Sequence, residues 1–270
     1  MKKSTLMNTL ILAALAAPGM AMAAEAPAVT SNVSLTTNYL YRGISQTGGK
    51  PALQGGFDYA HASGVYAGVW GSNVSWVGPS LGASSSSLEL DTYAGFKGGF
   101  AEDFSYDVGF LRYNYPGVYP STMATGFVKA DTNEIYGAIG WKWVTLKYSH
   151  ALSNTFGLDD SKGSSYVELN ASYSLADAGV TLGAHYGKQT YKGMYEADLT
   201  LAGYAPGVVA TYSDYKLSAS KDFSGYVVGL AYSSTNAKKD VGQYYNVGQA
   251  DGSRTDLGKG TAVLSVSHAM

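Results

Sequence analysis

The chain has 270 residues, no cysteine, 34 glycines and 23 tyrosines, and only 14% of it is charged. The lack of cysteine excludes a disulfide scaffold, a thiolate metal site and an iron–sulfur cluster. Lys and Arg number 18 against 20 Asp and Glu, for a net charge of −2, which excludes the basic surface of a nucleic-acid-binding protein. Soluble domains carry about 25% charged residues, so the composition predicts an environment in which apolar side chains avoid water.

The first 23 residues have the three regions of a secretory signal peptide in the expected order. Lys2 and Lys3 provide a positive start, residues 10–17 form a short apolar run, and Ala21-Met22-Ala23 has the small–x–small form of a cleavage site. We therefore expect cleavage after residue 23. The remaining residues, 24–270, are expected to form a single domain.

Beyond the signal segment, apolar and polar side chains alternate over stretches of about ten residues. Val167, Leu169 and Ala171, for example, alternate with Glu168 and Asn170. This period of two predicts strands with one apolar and one polar face. We predict twelve strands, at 31–42, 51–61, 64–73, 86–97, 104–115, 132–141, 143–151, 164–175, 179–190, 210–220, 225–235 and 259–270.

The connections between these strands are alternately short and long. Long polar loops lie near 42–51, 74–86, 115–131, 151–164, 190–210 and 235–259. Outer-membrane barrels have short turns at one end and long loops at the other. In lipid every backbone polar group needs an internal partner, so a set of strands has to close on itself. We therefore predict an all-β fold, a transmembrane antiparallel β-barrel of about twelve strands; a soluble β-sandwich is the alternative.

Aromatic residues recur near the predicted strand ends, which is typical of the aromatic girdles of membrane barrels. The last predicted strand has Ala262, Leu264, Val266 and His268 on one face and extends to Met270. The predicted girdle residues are Tyr39, Tyr41, Tyr59, Tyr66, Trp70, Trp76, Tyr113, Tyr115, Trp141, Trp143, Tyr148, Tyr186, Tyr226 and Tyr232.

Residues 31–47, with the run Tyr39-Leu40-Tyr41-Arg42-Gly43-Ile44-Ser45-Gln46, resemble the opening of the TorF family of porin-like proteins. The likeness continues through 54–59, 64–73, 113–117, 133–136 and 182–187, and covers nearly the whole mature chain. The resemblance implies an outer-membrane barrel of the porin type and implies no established substrate. Met270 departs from the aromatic last residue that the resemblance leads us to expect.

If the apolar faces contact lipid, the polar faces point into the lumen, because a lipid-facing Arg or Lys costs about 2–4 kcal/mol at mid-depth. Arg112 joins the interior set only if the strand at 104–115 shifts its register near Gly109. The charges then either line an aqueous constriction and set ion selectivity, or pair and fill a closed lumen. The candidate pore-lining residues are Arg42, Asp58, Glu89, Asp91, Asp107, Arg112, Glu134, Lys147, Glu168, His185, Asp214 and Lys216.

The expected function is passive diffusion of small hydrophilic solutes or ions, without cofactor or metal and with a slight preference for cations. The expected partners are outer-membrane lipid, the outer-membrane assembly machinery and the permeating solute; the oligomeric state stays open. The long loops read as solvated surface by default; if one of them folds inward and narrows the pore, the candidate is the loop at 115–131. The alternative is a non-conducting barrel that binds or adheres through its long loops.

An enzyme is the third class considered. The sequence has four histidines, His61, His150, His185 and His268. His150 follows Ser149, and neighbouring residues in a strand point to opposite faces, so the two cannot cooperate directly. His185 is expected inside the lumen, where the sequence shows no partner set of the kind that catalysis requires.

Overall fold

The computed structural model describes residues 29–193, 203–204, 210–237, 240, 242–248 and 252–270. The predicted signal peptide lies outside the described residues. Within them the chain forms β1 (Val29–Thr36), β2 (Leu40–Tyr41), β3 (Ile44–Ser45), β4 (Ala52–Ala60), β5 (Val65–Asn73), α1 (Val77–Leu81), β6 (Leu88–Phe100), β7 (Phe104–Asn114), β8 (Thr132–Trp141), β9 (Val144–Ala151), β10 (Ser165–Leu175), β11 (Val180–Thr190), β12 (Tyr212–Phe223), β13 (Tyr226–Thr235), β14 (Asn246–Gly248), β15 (Arg254–Asp256) and β16 (Thr261–Ala269).

Twelve of these strands form one closed antiparallel barrel in the order β1, β4 to β13, β16. Each barrel strand pairs with its neighbours in the chain, and β16 returns to β1, with His268 opposite Val33. Closure leaves the barrel no free edge, so all of its strands are hydrogen-bonded on both sides. β2 with β3 and β14 with β15 form two small hairpins outside the barrel sheet.

All twelve predicted strands are confirmed, most of them within a few residues at each end. The first is the exception, because it was predicted to run to residue 42 and β1 ends at Thr36. Thr36 still pairs with Ala52 and Ser265, and the chain then leaves the wall. The prediction was wrong here because Tyr39 and Tyr41 continue the alternating pattern of β1 inside a loop.

The outer face of the barrel is apolar. Leu35, Phe57, Leu146, Leu217 and Leu230, for example, are all exposed there, and Leu217 is 64% exposed. A water-soluble barrel would bury these side chains, whereas a barrel in lipid turns them outward. No helix within the described ranges is long and apolar enough to cross a bilayer.

The largest group of buried apolar side chains lies at the long-loop end and not along the barrel axis. Tyr41 packs on Tyr113 and on Phe156 at ring-centroid distances of 5.6 Å in both pairs, and Trp76 packs on Tyr115 at 5.3 Å. We call this group the outer cluster. Its principal members are Tyr39, Tyr41, Ile44, Trp70, Val77, Leu81, Tyr113, Tyr115, Phe127, Phe156, Leu158, Tyr245, Val247 and Leu257.

Half of the fourteen residues predicted for the aromatic girdle lie on the outer face. Tyr59, Trp141, Trp143, Tyr148, Tyr186, Tyr226 and Tyr232 are exposed on the outer face. Trp70 and Tyr113 are instead buried and point inward, as the period of two requires for residues that share a face with Ser72 and Asp107. Aromatic residues near a strand end therefore mark a girdle only when they fall on the apolar face. The other predicted girdle residues that point inward are Tyr39, Tyr41, Tyr66 and Tyr115.

Candidate functional site in the barrel interior

The first long loop enters the barrel, and the hairpin of β2 and β3 is its tip. Arg42 and Gly43 form the two-residue turn, with φ values of 46° and 76°. Positive φ at both positions defines the type I′ turn that fits tight hairpins. A Cβ atom on Gly43 would lie 2.6 Å from Cβ of Asp214 on β12. The hairpin tip therefore touches the inner wall of the barrel at β12, at a position that only glycine fits.

Arg42 fastens this hairpin to two strands. Its guanidinium donates to both carboxylate oxygens of Glu134, at 3.0 and 2.8 Å, and to Oε1 of Gln189 at 2.8 Å. It also lies 4.3 Å from the ring centre of Tyr166. Burial lowers the pKa of Arg42, but the charge of Glu134, the influence of Tyr41 and Tyr113 and the hydrogen bond to Glu134 together outweigh burial and raise the pKa well above its ordinary value. A two-bond Arg–carboxylate pair of this kind gives both strength and orientation.

The base of the loop is held by hydroxyl groups. Tyr39 donates to Oε1 of Glu89 at 3.1 Å, and Ser45 donates to Oδ1 of Asn38 at 2.6 Å. Burial, followed by the charges of Glu89 and Asp91, raises the pKa of Tyr39, which keeps this hydroxyl a donor. The backbone N–H of Ser45 also donates to the carbonyl of Leu257 at 2.8 Å. The first loop is thus bound to the barrel wall and to the last long loop.

One side of the interior, formed by β4 to β8, is acidic. Its carboxylates belong to Asp58, Glu89, Asp91, Asp107 and Glu134, and the inward-facing basic residue on the same strands is Lys97. Tyrosines donate to four of these groups: Tyr93 to Asp58 at 2.5 Å, Tyr66 to Asp107 at 2.6 Å, Tyr39 to Glu89 at 3.1 Å and Tyr113 to Glu134 at 3.4 Å.

These inward tyrosines lie flat because glycine faces them on the adjacent strand. Tyr66 is opposite Gly95, Tyr93 opposite Gly68, and Tyr136 opposite Gly109. A Cβ atom on any of these three glycines would approach the tyrosine ring or hydroxyl to 2.6 Å or less. This repeated pairing is one physical reason for the high glycine and tyrosine content.

The opposite side, formed by β9 to β12, mixes both signs of charge. His185 lies 2.8 Å from Oδ2 of Asp214 through Nε2 and 2.6 Å from Oδ1 of Asn170 through Nδ1. Tyr166 donates to the other oxygen of Asp214 at 2.8 Å, and Asn170 donates to Glu168 at 2.9 Å. The lumen therefore has one acidic side and one side on which acidic and basic groups are mixed.

A cavity of about 150 Å³ lies in the lumen beneath the hairpin tip. Arg42 and Gly43 line it from the loop, Ser34 and Ser265 from β1 and β16, and Lys147, Glu168, His185, Asp214 and Lys216 from the mixed wall. A second space of about 60 Å³ lies in the outer cluster, between Arg42, Gln189 and several tyrosines. Side chains therefore leave part of the lumen unfilled, as expected for a barrel between the filled eight-stranded and open sixteen-stranded sizes.

Eleven of the twelve residues proposed for the interior point inward. Arg42 does so from the loop hairpin and not from a strand, and the other ten do so from the predicted strands: Asp58, Glu89, Asp91, Asp107, Glu134, Lys147, Glu168, His185, Asp214 and Lys216.

Arg112 is the correction. The alternation of β7 continues unbroken through Gly109, so Leu111 and Tyr113 face inward and Arg112 faces outward. Arg112 lies at the outer rim, where it donates to Asn114 at 2.6 Å and to Asn133 at 3.1 Å. The register shift that would have brought it inside does not occur, because Gly109 pairs directly with both Gly95 and Tyr136.

The loop that enters the barrel is 37–51. The sequence analysis instead named 115–131 as the candidate, and that prediction is wrong. The 115–131 loop packs above the barrel, where the backbone N–H of Val128 donates to the carbonyl of Gly157 at 2.8 Å and Phe127 joins the outer cluster. Loop length does not identify the inward loop, because both segments are long and polar.

Sequence reasoning missed the interior tyrosines and Gln189. Tyr166 and Gln189 contact Arg42, and Tyr66, Tyr93 and Tyr136 line the acidic side. A signal was available for all but Tyr66, because each of the others lies an even number of residues from a charged or His residue of the same strand that was already placed inside. Tyr166 is two residues from Glu168, for example, and Gln189 is four residues from His185.

The histidines are separated from one another. His150 stacks on Tyr148 at the outer surface, while Ser149 is buried inside, which confirms that these neighbours face opposite ways. His185 contacts Asp214, Asn170 and Tyr166. Among the described residues no group of three or more acidic, His or Cys side chains could hold a metal ion.

A closed antiparallel barrel with an apolar outer face and a charged interior defines the class of transmembrane β-barrels. The chain belongs to a family described as "Bacterial protein of unknown function (Gcw_chp)", whose model matches residues 20–269. The match does not confirm membership of the TorF family, which the sequence resembles. No curated protein matches the chain.

Several solved structures are similar in architecture. The KdgM porin in complex with disordered oligogalacturonate has 7% identity and a TM-score of 0.49, over 89% of this chain and 96% of that one. OprD from Pseudomonas aeruginosa has 14% identity and a TM-score of 0.38, over 92% and 68%. OccAB3 from Acinetobacter baumannii has 10% identity and a TM-score of 0.39, over 91% and 65%. At these values the likeness carries no argument about function.

Proposed function

We propose that the protein is an outer-membrane channel through which small hydrophilic solutes or ions diffuse passively. The observation that carries the proposal is the lumen cavity of about 150 Å³, lined by charged side chains within an apolar outer face. Charged side chains that surround unfilled space hold water and solutes, and their sign and spacing set selectivity. Export through a cleaved signal peptide and insertion by the outer-membrane assembly machinery complete the proposal.

The outer entrance is covered in this structure by the first loop together with the outer cluster. Arg42 holds the loop to Glu134 and Gln189, and the outer cluster packs above it. Conduction then requires either a narrow path beside the loop or a displacement of the loop. The resemblance of the sequence to the porin-like proteins of the TorF family agrees with this proposal.

A second candidate is a non-conducting barrel that binds a partner through its outer loops. The observation in its favour is the outer cluster itself, which fills the long-loop end with buried aromatic and aliphatic side chains. Catalysis is the least supported function, because the hydroxyl that contacts His185 is the phenol of Tyr166, which also donates to Asp214.

Single-channel conductance of the refolded mature chain in a planar bilayer, under a salt gradient, tests the proposal. We expect discrete steps for the wild type and larger or longer openings for Arg42→Met. Breaking a buried ion pair costs about 3–5 kcal/mol, because the partner charge stays buried, so this loss favours displacement of the loop. Arg112→Met is the matched control, since the Arg112 side chain is 40% exposed at the rim.

The channel is rejected if both the wild type and Arg42→Met insert as folded barrels and neither passes current. That result would support the non-conducting alternative. The folded state is checked by the shift in gel mobility between heated and unheated samples.

A further inference from the structure

Two lysines of the lumen cavity form no direct ion pair. In the part of the chain that the structure describes, Lys147 and Lys216 form no side-chain hydrogen bond and no ion pair within 4.0 Å. The contact of Lys147 is with the ring of Tyr136, at 4.1 Å from its centre. Arg42, by contrast, is bound on both sides. Buried charges are ordinarily paired, so unpaired ammonium groups in a cavity are available to a ligand.

The carboxylates next to these lysines are already occupied by other donors. Glu168 lies opposite Lys147 in the strand ladder and accepts from Asn170. Asp214, two residues before Lys216, accepts from Tyr166 and is in hydrogen-bond contact with His185. These bonds orient the carboxylates, whose charges still act on the nearby ammonium groups although no direct lysine–carboxylate ion pair forms within 4.0 Å. The two ammonium groups therefore have no hydrogen-bond partner among the described residues, while the carboxylates beside them do.

The rest of the cavity supplies neutral hydrogen-bonding groups. Ser34 and Ser265 line it from β1 and β16, and Ser233 lines it from β13. Its volume of about 150 Å³ matches that of an engineered protein cavity that holds a benzene-sized molecule. Ammonium groups and hydroxyls around such a volume are complementary to a small organic anion, because charge-assisted hydrogen bonds are about twice as strong as neutral ones.

We propose that the lumen cavity is a binding site for a small carboxylate-bearing solute, held through its carboxylate by Lys147 and Lys216. This proposal names a solute class for the channel function proposed above. It rests on that function, because the solute has to reach the lumen in order to bind. It names the chemical class of one permeant, which would pause at this site while crossing. The acidic side of the lumen, from Asp58 to Glu134, would exclude such a solute from the opposite wall.

Saturation-transfer NMR with the refolded protein in detergent tests the site without requiring conduction. Benzoate is the probe, and benzyl alcohol, which has the same ring without the carboxylate, is the control ligand. We expect saturable transfer to benzoate that acetate competes away. Lys147→Met and Lys216→Met should each weaken benzoate binding at least tenfold, because each removes a charge-assisted bond. Lys97→Met, an interior lysine outside the cavity, should stay within twofold of wild type.

The site is overturned if benzoate and benzyl alcohol bind alike, or if both methionine variants bind benzoate like the wild type. If a methionine variant fails to fold, glutamine at the same position replaces it, since glutamine keeps a polar side chain without the charge. The bilayer recording separates the two proposals. Lysine-dependent binding in an electrically silent barrel rejects the channel alone, and conduction without lysine-dependent binding rejects the site alone.

Discussion

The turn residue Gly43 controls how deeply the first loop enters the barrel. Its φ of 76° suits glycine, and a Cβ atom there would lie 2.6 Å from Asp214 and 2.7 Å from Thr235. Gly49 in the same loop has a similar φ of 81°, but its Cβ position is open, with no atom within 4 Å. A comparison of alanine substitutions at the two positions therefore distinguishes the free-energy cost of backbone strain, which both share, from the cost of a clash with the barrel wall, which arises at Gly43 alone.

We predict that Gly43→Ala displaces the hairpin from the lumen and increases channel conductance, while Gly49→Ala has a small effect. Alanine at positive φ costs about 1 kcal/mol at either site, and the clash with β12 adds to it at Gly43 alone. Single-channel recording of both variants checks this. Equal conductance changes in the two variants would show that contact with the wall does not position the loop.

For individual residues, the sequence predicted whether a side chain points into or out of the barrel, but it did not predict which side chains contact each other. Glu134 and Asp214 were placed inside by the period of two, which is a local property of a strand. Their partners Arg42 and His185 are 92 and 29 residues away in the chain, and periodicity carries no information about such pairs.

The first loop acts as a separate element between two strands that are already paired. Thr36 at the end of β1 lies opposite Ala52 at the start of β4, so a short turn can join these strands without disturbing the barrel. Nothing in the barrel ladder depends on residues 38–50, because the strands of the hairpin pair with each other outside the barrel sheet.

We predict that replacing residues 38–50 by a four-residue turn of Gly and Asn leaves a folded barrel and raises conductance several-fold. The physical reason is that the replacement removes Tyr39, Tyr41 and Arg42 from the lumen together. Gel mobility reports the fold and bilayer recording the conductance. Deletion of the exposed Ser121-Thr122 in the 115–131 loop is the control and should leave conductance unchanged. Unchanged conductance in the first variant would mean that loop 37–51 does not obstruct the pore.

The whole barrel depends on its apolar outer face. Leu217 lies in the middle of β12, 64% exposed, with Ala184 and Tyr232 beside it on the adjacent strands. If this face contacts lipid, an arginine there costs about 2–4 kcal/mol at the bilayer midplane. In a water-soluble barrel the same change would be nearly neutral.

We predict that Leu217→Arg lowers the free energy of unfolding of the vesicle-inserted barrel by about 2–4 kcal/mol, and that Leu217→Phe changes it little. Urea titration of vesicle-inserted protein, followed by gel mobility, measures the difference. Equal stability of the two variants would contradict a lipid-facing position for β12 and, with it, the membrane location of the barrel.

The strand number, the alternation of short and long connections and the inward or outward direction of most side chains were predictable from the amino-acid pattern alone, because a period of two and turn spacing are local. The pattern did not predict that the chain leaves the wall after Thr36, that Arg42 joins Glu134, or that Lys147 and Lys216 share one cavity. Each of these depends on contacts between residues far apart in the chain, which form only when the barrel closes and brings distant strands around a common lumen.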